Sequence, residues 1–441
     1  MTGVVIFKIA QSLENKGFFL FSDSKKQVFE SLTLPKELLI VIHTVQLRRF
    51  LPKELFDAIR SDLRYGFHFQ KGKGLLTTQY SDIGINEVKM TRYSQRGKTF
   101  YYIDFVINLN LFMSADDDIS NENISFYRNT PLQGNSINPV LIYTMYAKLF
   151  EIFPLLNMCD ITWGNYDGLE NMHSWEASIE WEKANHNAFS LCEMDYTYDI
   201  PLPYVKTYLK LLNYGHQPGR IKRIRHEHEE GEDNLYEYNG SIKINTYDKE
   251  RELMERFGDE ELAQKNQVLR VEVGLKRRKL SNMVNNAQYS EIKERTLFDF
   301  ADIDTAYQTV TKYMRQRCYR GNYYDYNTAM NIIDSNEKIK PNMKSKLKDV
   351  IEGVKNYHGV DKYIEKAIAD GKKEATIKDH IKRLEELEIN PVTISKRDKE
   401  AFPLPDGGRW LPSIFTIIDK MYAIEKDNME HPEKAIELMD N

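Results

Sequence analysis

Cysteine is scarce: the 441 residues contain three, Cys159, Cys192 and Cys318, far apart. An odd, scattered set supplies neither a CxxC ligand pair nor a disulfide framework, so a reducing compartment is expected. Long apolar runs are missing too. Residues 38–42 form a core segment, far short of the ~20 residues that span a bilayer. The N-terminus lacks the basic-then-apolar pattern of a secretory signal. There is no internal repeat and no low-complexity stretch. Positive charge is not in excess either: 61 Lys and Arg against 66 Asp and Glu leave a formal charge of −5. A generic polyanion binder is thereby excluded, and any nucleic-acid contact must come from local basic patches. These absences describe a soluble cytoplasmic chain with no membrane contact. Its length suits two or three domains.

What the chain does contain is a set of half-apolar strands. Residues 238–250 read as a strand entered through the Asn239-Gly240 turn signal. Alternation puts Ile242, Ile244 and Thr246 on one face, and Lys243, Asn245, Tyr247 and Lys249 on the other. Residues 189–200 alternate Cys192, Met194, Tyr196 and Tyr198 with Glu193, Asp195, Thr197 and Asp199, which predicts carboxylates on an open face. Residues 267–275 carry Leu269, Val271, Val273 and Leu275 opposite Arg270 and Glu272, and run into Lys276-Arg277-Arg278-Lys279. Further strands are expected at 4–7, 17–21 and 98–107. Helices are expected at 139–153, at 204–213 with Gly215 as cap, and over about 249–265. From about Ala301 the chain reads as helical and charged, with Thr376 N-capping a helix striped by Ile377, Ile381, Leu384 and Leu387. That helix and the Ile389-Asn390-Pro391 turn fit a helix-turn-helix or winged-helix element, and equally a plain helical hairpin.

If the three strands share one sheet, their polar faces meet. A phenol, several carboxylates and several cations would then face a common surface, as metal-assisted phosphoryl transfer requires. Mg²⁺ or Mn²⁺ takes carboxylate oxygens and polarises a phosphodiester. The phenol attacks phosphorus, and Arg270 or Lys249 stabilises the developing charge. A sheet solvated on one side shows the same alternation without any chemistry. Two histidine groupings carry little. The set from His173 to His186 matches no ligand spacing, and His226-Glu227-His228 sits among charged residues that read as a solvated loop.

At these residues the chain resembles the gene II/X replication initiators of filamentous phages and the related phage and plasmid rolling-circle initiation proteins. Three signatures recur in order: residues 191–197 with Asp195, Tyr247-Asp248-Lys249-Glu250, and Leu269-Arg270-Val271-Glu272 leading to a basic segment that ends at Leu280. Residues 376–391 are similar to the gene X portion. The chain departs where the family often has arginine, at Glu193, and where it has glycine, at Glu388.

The resemblance implies an α+β chain with an antiparallel-sheet, Rep-type nicking core, helices on one face, and a helical, winged-helix-like C-terminal domain. Residues 1–157 and 158–300 would form the core and 301–441 the DNA-binding domain. The implied activity nicks one strand of a double-stranded origin through a tyrosine–5′-phosphate bond and later rejoins it. Tyr247 would be the nucleophile. Asp195 and Glu272, with Glu193 at the departed position, would hold Mg²⁺ or Mn²⁺. Lys249 and Arg270 would steady the phosphate, and Lys276, Arg277, Arg278 and Lys279 would hold DNA. Origin duplex, displaced single strand, a host helicase and polymerase, and a second copy of the chain are the implied partners, in a bacterial host's cytoplasm. Two other readings remain: a non-catalytic DNA-binding regulator of a mobile element, and a metal nuclease that uses water.

Overall fold

The computed structural model describes residues 40–114, 139–156, 189–202, 204–215, 222–224, 234–258, 268–396, 398, 402–403 and 409–430. The strands expected at 4–7 and 17–21, the groupings from His173 to His186 and at His226–His228, and Cys159 lie outside the described residues.

Ten strands form one antiparallel sheet. In chain order they are β1 (Ile40–Leu51), β2 (His68–Gln70), β3 (Gly74–Thr77), β4 (Ile85–Gln95), β5 (Lys98–Asn108), β6 (Phe189–Pro201), β7 (Lys222–Ile224), β8 (Asn234–Tyr238), β9 (Ile242–Asp248) and β10 (Val268–Lys276). Their spatial order is β2-β3-β4-β5-β1-β6-β10-β9-β8-β7. Segments 1–157 and 158–300 therefore share a single sheet, joined where β1 pairs with β6. Ile40–Ile42, the described part of the run at 38–42, begin β1, which lies at the middle of the sheet, between β5 and β6. A second, small sheet orders β11 (Tyr323–Tyr324), β13 (Arg409–Leu411) and β12 (Phe402–Pro403).

The three polar-faced strands are neighbours. β10 pairs with β6 on one side and β9 on the other. On the apolar face this aligns Tyr198, Val271 and Thr246 in one row, and Tyr196, Val273 and Ile244 in the next. The helical part of the chain covers that face. The Tyr196 hydroxyl donates to the Phe300 carbonyl, and Arg317 donates to the Thr246 hydroxyl and the Leu235 carbonyl. Burial of these rows is the main stabilising term, at about 25 cal/mol per Å² of apolar surface.

Local elements follow their signals with two differences, at Thr376 and Glu388. The helix after β9 runs Lys249–Phe257 and is capped by Gly258 in the left-handed conformation (φ 66), and the remainder of the expected span, to about 265, lies outside the described residues. Thr376 lies inside the helix Glu374–Glu386; its N-cap is Lys373, which makes no side-chain cap. Glu388, noted above as a departure from glycine in the resemblance, holds φ 58, the region glycine favours. The helix Val205–Tyr214 and its Gly215 cap, with Gly215 N–H donating to the Leu211 carbonyl, are as expected. So is the Asn239-Gly240 turn, where the Asn239 side chain accepts the Ser241 and Ile242 N–H groups.

The polar face of β6 is not open. Asp195 and Asp199 are buried. Buried carboxylates persist only when paired, and Asp199 is held by both Nε and Nη2 of Arg270, each at 2.5 Å. Arg270 itself is fully buried. Replacing Asp199 by Ala strands that guanidinium without its fork partner, and should lower the unfolding free energy by about 3–5 kcal/mol. Guanidinium-chloride unfolding monitors this. A loss of under about 1 kcal/mol, the ceiling for a typical exposed pair, would mean that the pair does not anchor the sheet.

Candidate active site

The register places the polar side chains in rows across β6, β10 and β9. The first row is Asp199, Arg270, Tyr247; the second is Thr197, Glu272, Asn245; the third is Asp195, Gly274, Lys243. Glu193 lies opposite Lys276 in a fourth. Strand alternation alone brings Tyr247, Arg270, Glu272 and Asp195 onto one face, as the sequence pattern suggested.

Their partners differ from the expected roles. The Tyr247 hydroxyl donates to Glu272 Oε1 at 2.9 Å. Burial raises the Tyr247 phenol well above its ordinary value against the pull of Arg270, so the phenol stays protonated until a base takes its proton. Glu272 is the acceptor in place. Arg270 is committed to Asp199; burial opposes its charge, and Asp199 more than restores it. Lys249 begins the helix after β9, with Asp248 as N-cap accepting the Arg251 N–H. Its ammonium is buried, ion-paired to Glu252, and 5.8 Å from the centre of the Tyr247 ring. Burial and then the Arg270 charge pull Lys249 down to about 8. Neither cation is presented to solvent as a phosphate clamp.

Lys243 takes a position that the sequence reading left unassigned. Its Nζ lies 3.0 Å from Asp195 Oδ2 and 3.1 Å from Glu193 Oε1. Burial works against its charge, but Asp195 and then Glu193 hold the ammonium above its usual value. Burial pushes Asp195 up to about 7 despite Lys243, with the Glu272 charge adding to it. Glu193, Asp195 and Glu272 are thus not an open ligand set: two share an ammonium and the third accepts a phenol. Among the described residues, no three His, Cys, Asp or Glu side chains gather in the manner of a metal centre.

His43 is a second unforeseen member. It lies in a register shift where β1 meets β6, between the Ile42–Tyr196 and Val45–Met194 pairs. Its Nδ1 is 2.9 Å from the Thr44 hydroxyl, and its buried Nε2 has no hydrogen-bond partner. Asp195 Oδ1 and Asn245 Oδ1 are also buried without one. Burial, with Arg270 second, pulls His43 down to about 4. A lone histidine in an apolar-looking strand gives no sequence signal. Lys243 does give one, four residues before Tyr247 on the same face, and so does Gly274, a glycine in a strand interior.

The basic run divides. Arg277 and Arg278 are exposed and Lys276 is partly so. Lys279 turns its ammonium onto the rings of Tyr289 and Tyr313, at 5.4 and 5.9 Å. The polar face continues over β1, β5 and β4 as a groove of about 690 Å³, lined by five cations and two carboxylates. There Arg48 pairs with Asp104 through two hydrogen bonds and stacks 3.9 Å over Tyr102. Exposed Phe50 and Phe69 stand at its margin. In a chain of net negative charge, this is a concentrated basic and aromatic surface.

No protein-family model, curated protein or solved structure matches the chain in the three comparisons made.

His43 yields a pH prediction. Its folded pKa is depressed from 6.5 to about 4, so the unfolded chain binds a proton that the fold refuses. The associated stability is complete above pH 6.5 and is lost as pH falls through 4, by up to about 3 kcal/mol. His43→Gln should flatten the denaturant midpoint against pH over that window. An unchanged slope would place the titration elsewhere.

Proposed function

We propose that this protein is a DNA strand-transfer endonuclease that initiates rolling-circle replication, with Tyr247 as its nucleophile. The observation that carries the reading is the Tyr247–Glu272 hydrogen bond on the partly exposed polar face of the sheet. A phenol held protonated needs a base within hydrogen-bond reach, and Glu272 is there. In the proposed step the Tyr247 oxygen bonds to phosphorus, its proton passes to Glu272, and the P–O3′ bond breaks. Glu272 returns the proton to the leaving 3′ oxygen. The strand is left with a free 3′ hydroxyl, and its 5′ phosphate is esterified to Tyr247. Reversal by another 3′ hydroxyl reseals DNA without ATP.

Arg270 holds its strand in place and biases the phenol electrostatically. The groove over β1, β5 and β4 fits an unpaired strand, because cations meet its phosphates and aromatic rings its bases. Arg277 and Arg278 would add phosphate contacts. On this reading the sheet is a Rep-type nicking core, and the helices beyond Ala301, winged-helix-like or not, support duplex origin recognition. The reaction would take place in a bacterial cytoplasm, with a helicase and polymerase of the host and a second copy of the chain. No helix among the described residues is long and apolar enough to cross a membrane. Mg²⁺ or Mn²⁺ would enter only by displacing Lys243 or the phenol from the carboxylates. The groove also favours a second reading, a DNA-binding regulator without catalysis, which would not need Tyr247.

Incubation with labelled single-stranded or supercoiled origin DNA separates the two. Wild type should give a denaturation-resistant protein–DNA band. Tyr247→Phe should give none while still binding DNA, and Glu272→Gln should form the band on the order of 10²-fold more slowly. A full-strength band from Tyr247→Phe would move the chemistry elsewhere. DNA binding with neither band nor nick in wild type would leave the regulator.

A further inference from the structure

We propose that Lys243 is a tethered cation standing where a divalent metal would otherwise bind, so that the polar face of the sheet meets a phosphodiester with an ammonium at Glu193 and Asp195. The inference deepens the strand-transfer reading and rests on it only for the identity of the incoming phosphate.

Three observations carry it. The first is the bridge itself: one Nζ lies 3.0 Å from Asp195 and 3.1 Å from Glu193, and both carboxylates belong to β6. Lys243 belongs to β9, two strands away, and β10 lies between. The lysine and the carboxylates reaching toward it together bridge about two strand spacings, roughly 9.5 Å, over the intervening strand.

The second is Gly274, the β10 residue in register with both Asp195 and Lys243. A Cβ at this position would lie 2.3 Å from Lys243 Cγ and Cε and 2.6 Å from Asp195 Oδ1. Gly274 is not among the glycines with positive φ. Backbone conformation does not call for glycine here, and a strand-interior glycine weakens the sheet. What glycine supplies is the passage through which the lysine reaches the carboxylates.

The third is the unfilled hydrogen-bonding capacity around the bridge. An ammonium has three N–H donors, and Lys243 directs one to each carboxylate. Buried Asp195 Oδ1 and Asn245 Oδ1 remain without partners. The slot is thus polar, with an unpartnered Asp195 oxygen beside Gly274, and is occupied by a cation that cannot diffuse away. A divalent ion entering it would be repelled by the ammonium at close range in a poorly screened site. A phosphate oxygen, in contrast, could take the remaining N–H.

The test is Mn²⁺ binding, followed by electron paramagnetic resonance on the full-length protein without DNA. Wild type should show no Asp195-dependent Mn²⁺ site at sub-millimolar metal. Lys243→Ala should bind Mn²⁺ at least about tenfold more tightly than wild type. Adding Asp195→Asn to that variant should abolish the gain. Gly274→Ala retains the lysine but closes its passage, and should produce the same gain. It carries the test if Lys243→Ala fails to fold by circular dichroism. Tight Mn²⁺ binding by wild type that Asp195→Asn abolishes would overturn the proposal. So would folded Lys243→Ala and Gly274→Ala variants with no gain. Because no DNA is present, failure of the strand-transfer reading leaves the outcome intact, and the converse holds for the adduct experiment.

Discussion

Charge inside a sheet face is tolerable only where each cation meets its carboxylate, and that constraint organises this protein. Arg270 is buried, and so are Asp199 and Asp195. The Arg270–Asp199 fork sets the register of β10 on β6, and the Lys243 bridge to Asp195 and Glu193 sets that of β9 across both. A slip of one residue would turn every side chain to the other face. It would put Arg270 among the apolar rows and Val271 among the carboxylates. The ion pairs thus penalise alternative pairings more than they add stability, since buried pairs barely offset their own desolvation.

The same register grades the face from structural to chemical. Asp199 and Arg270 are closed off in the first row. Tyr247, at its end, leans on Glu272 in the second, and both are partly exposed. Lys243 and Asp195 complete the third, and Glu193 joins their ion pair from the fourth. The Tyr247 ring has the Lys249 ammonium 5.8 Å from its centre, and its hydroxyl donates to Glu272. Beyond Glu193 the face merges into the basic groove over β1, β5 and β4. Under the proposed strand-transfer function, a DNA strand lying across the sheet would be held at the groove and cut at Tyr247.

Much of this was legible in the sequence, because alternation and turn chemistry are local. The period-2 pattern of residues 189–200, 242–248 and 268–275 sufficed to put Tyr247, Arg270, Glu272 and Asp195 on polar faces. Asn239-Gly240 announced the hairpin before β9. What escaped was everything decided by a neighbour distant in sequence. β1 looked like a short core run, and nothing local shows that it lies beside β6 or that His43 sits half-buried at a register shift. Arg270 looked like a free cation because Asp199 becomes its partner only after folding; the Lys249–Glu252 pair, three residues apart on one helix, was in principle local. Lys243 and Gly274 gain meaning only once β10 lies between β6 and β9. Thr376 had the chemistry of a cap, yet the helix began two residues earlier.

The central claim is that the hydroxyl held by Glu272 is the one that reacts. Its most direct test is to isolate the covalent protein–DNA species, digest it with trypsin and nuclease, and locate the modified residue by tandem mass spectrometry. A 5′-nucleotide should be found esterified to Tyr247 within the peptide Ile244–Lys249. A nucleotide on Tyr236, Tyr238 or any other residue would contradict it.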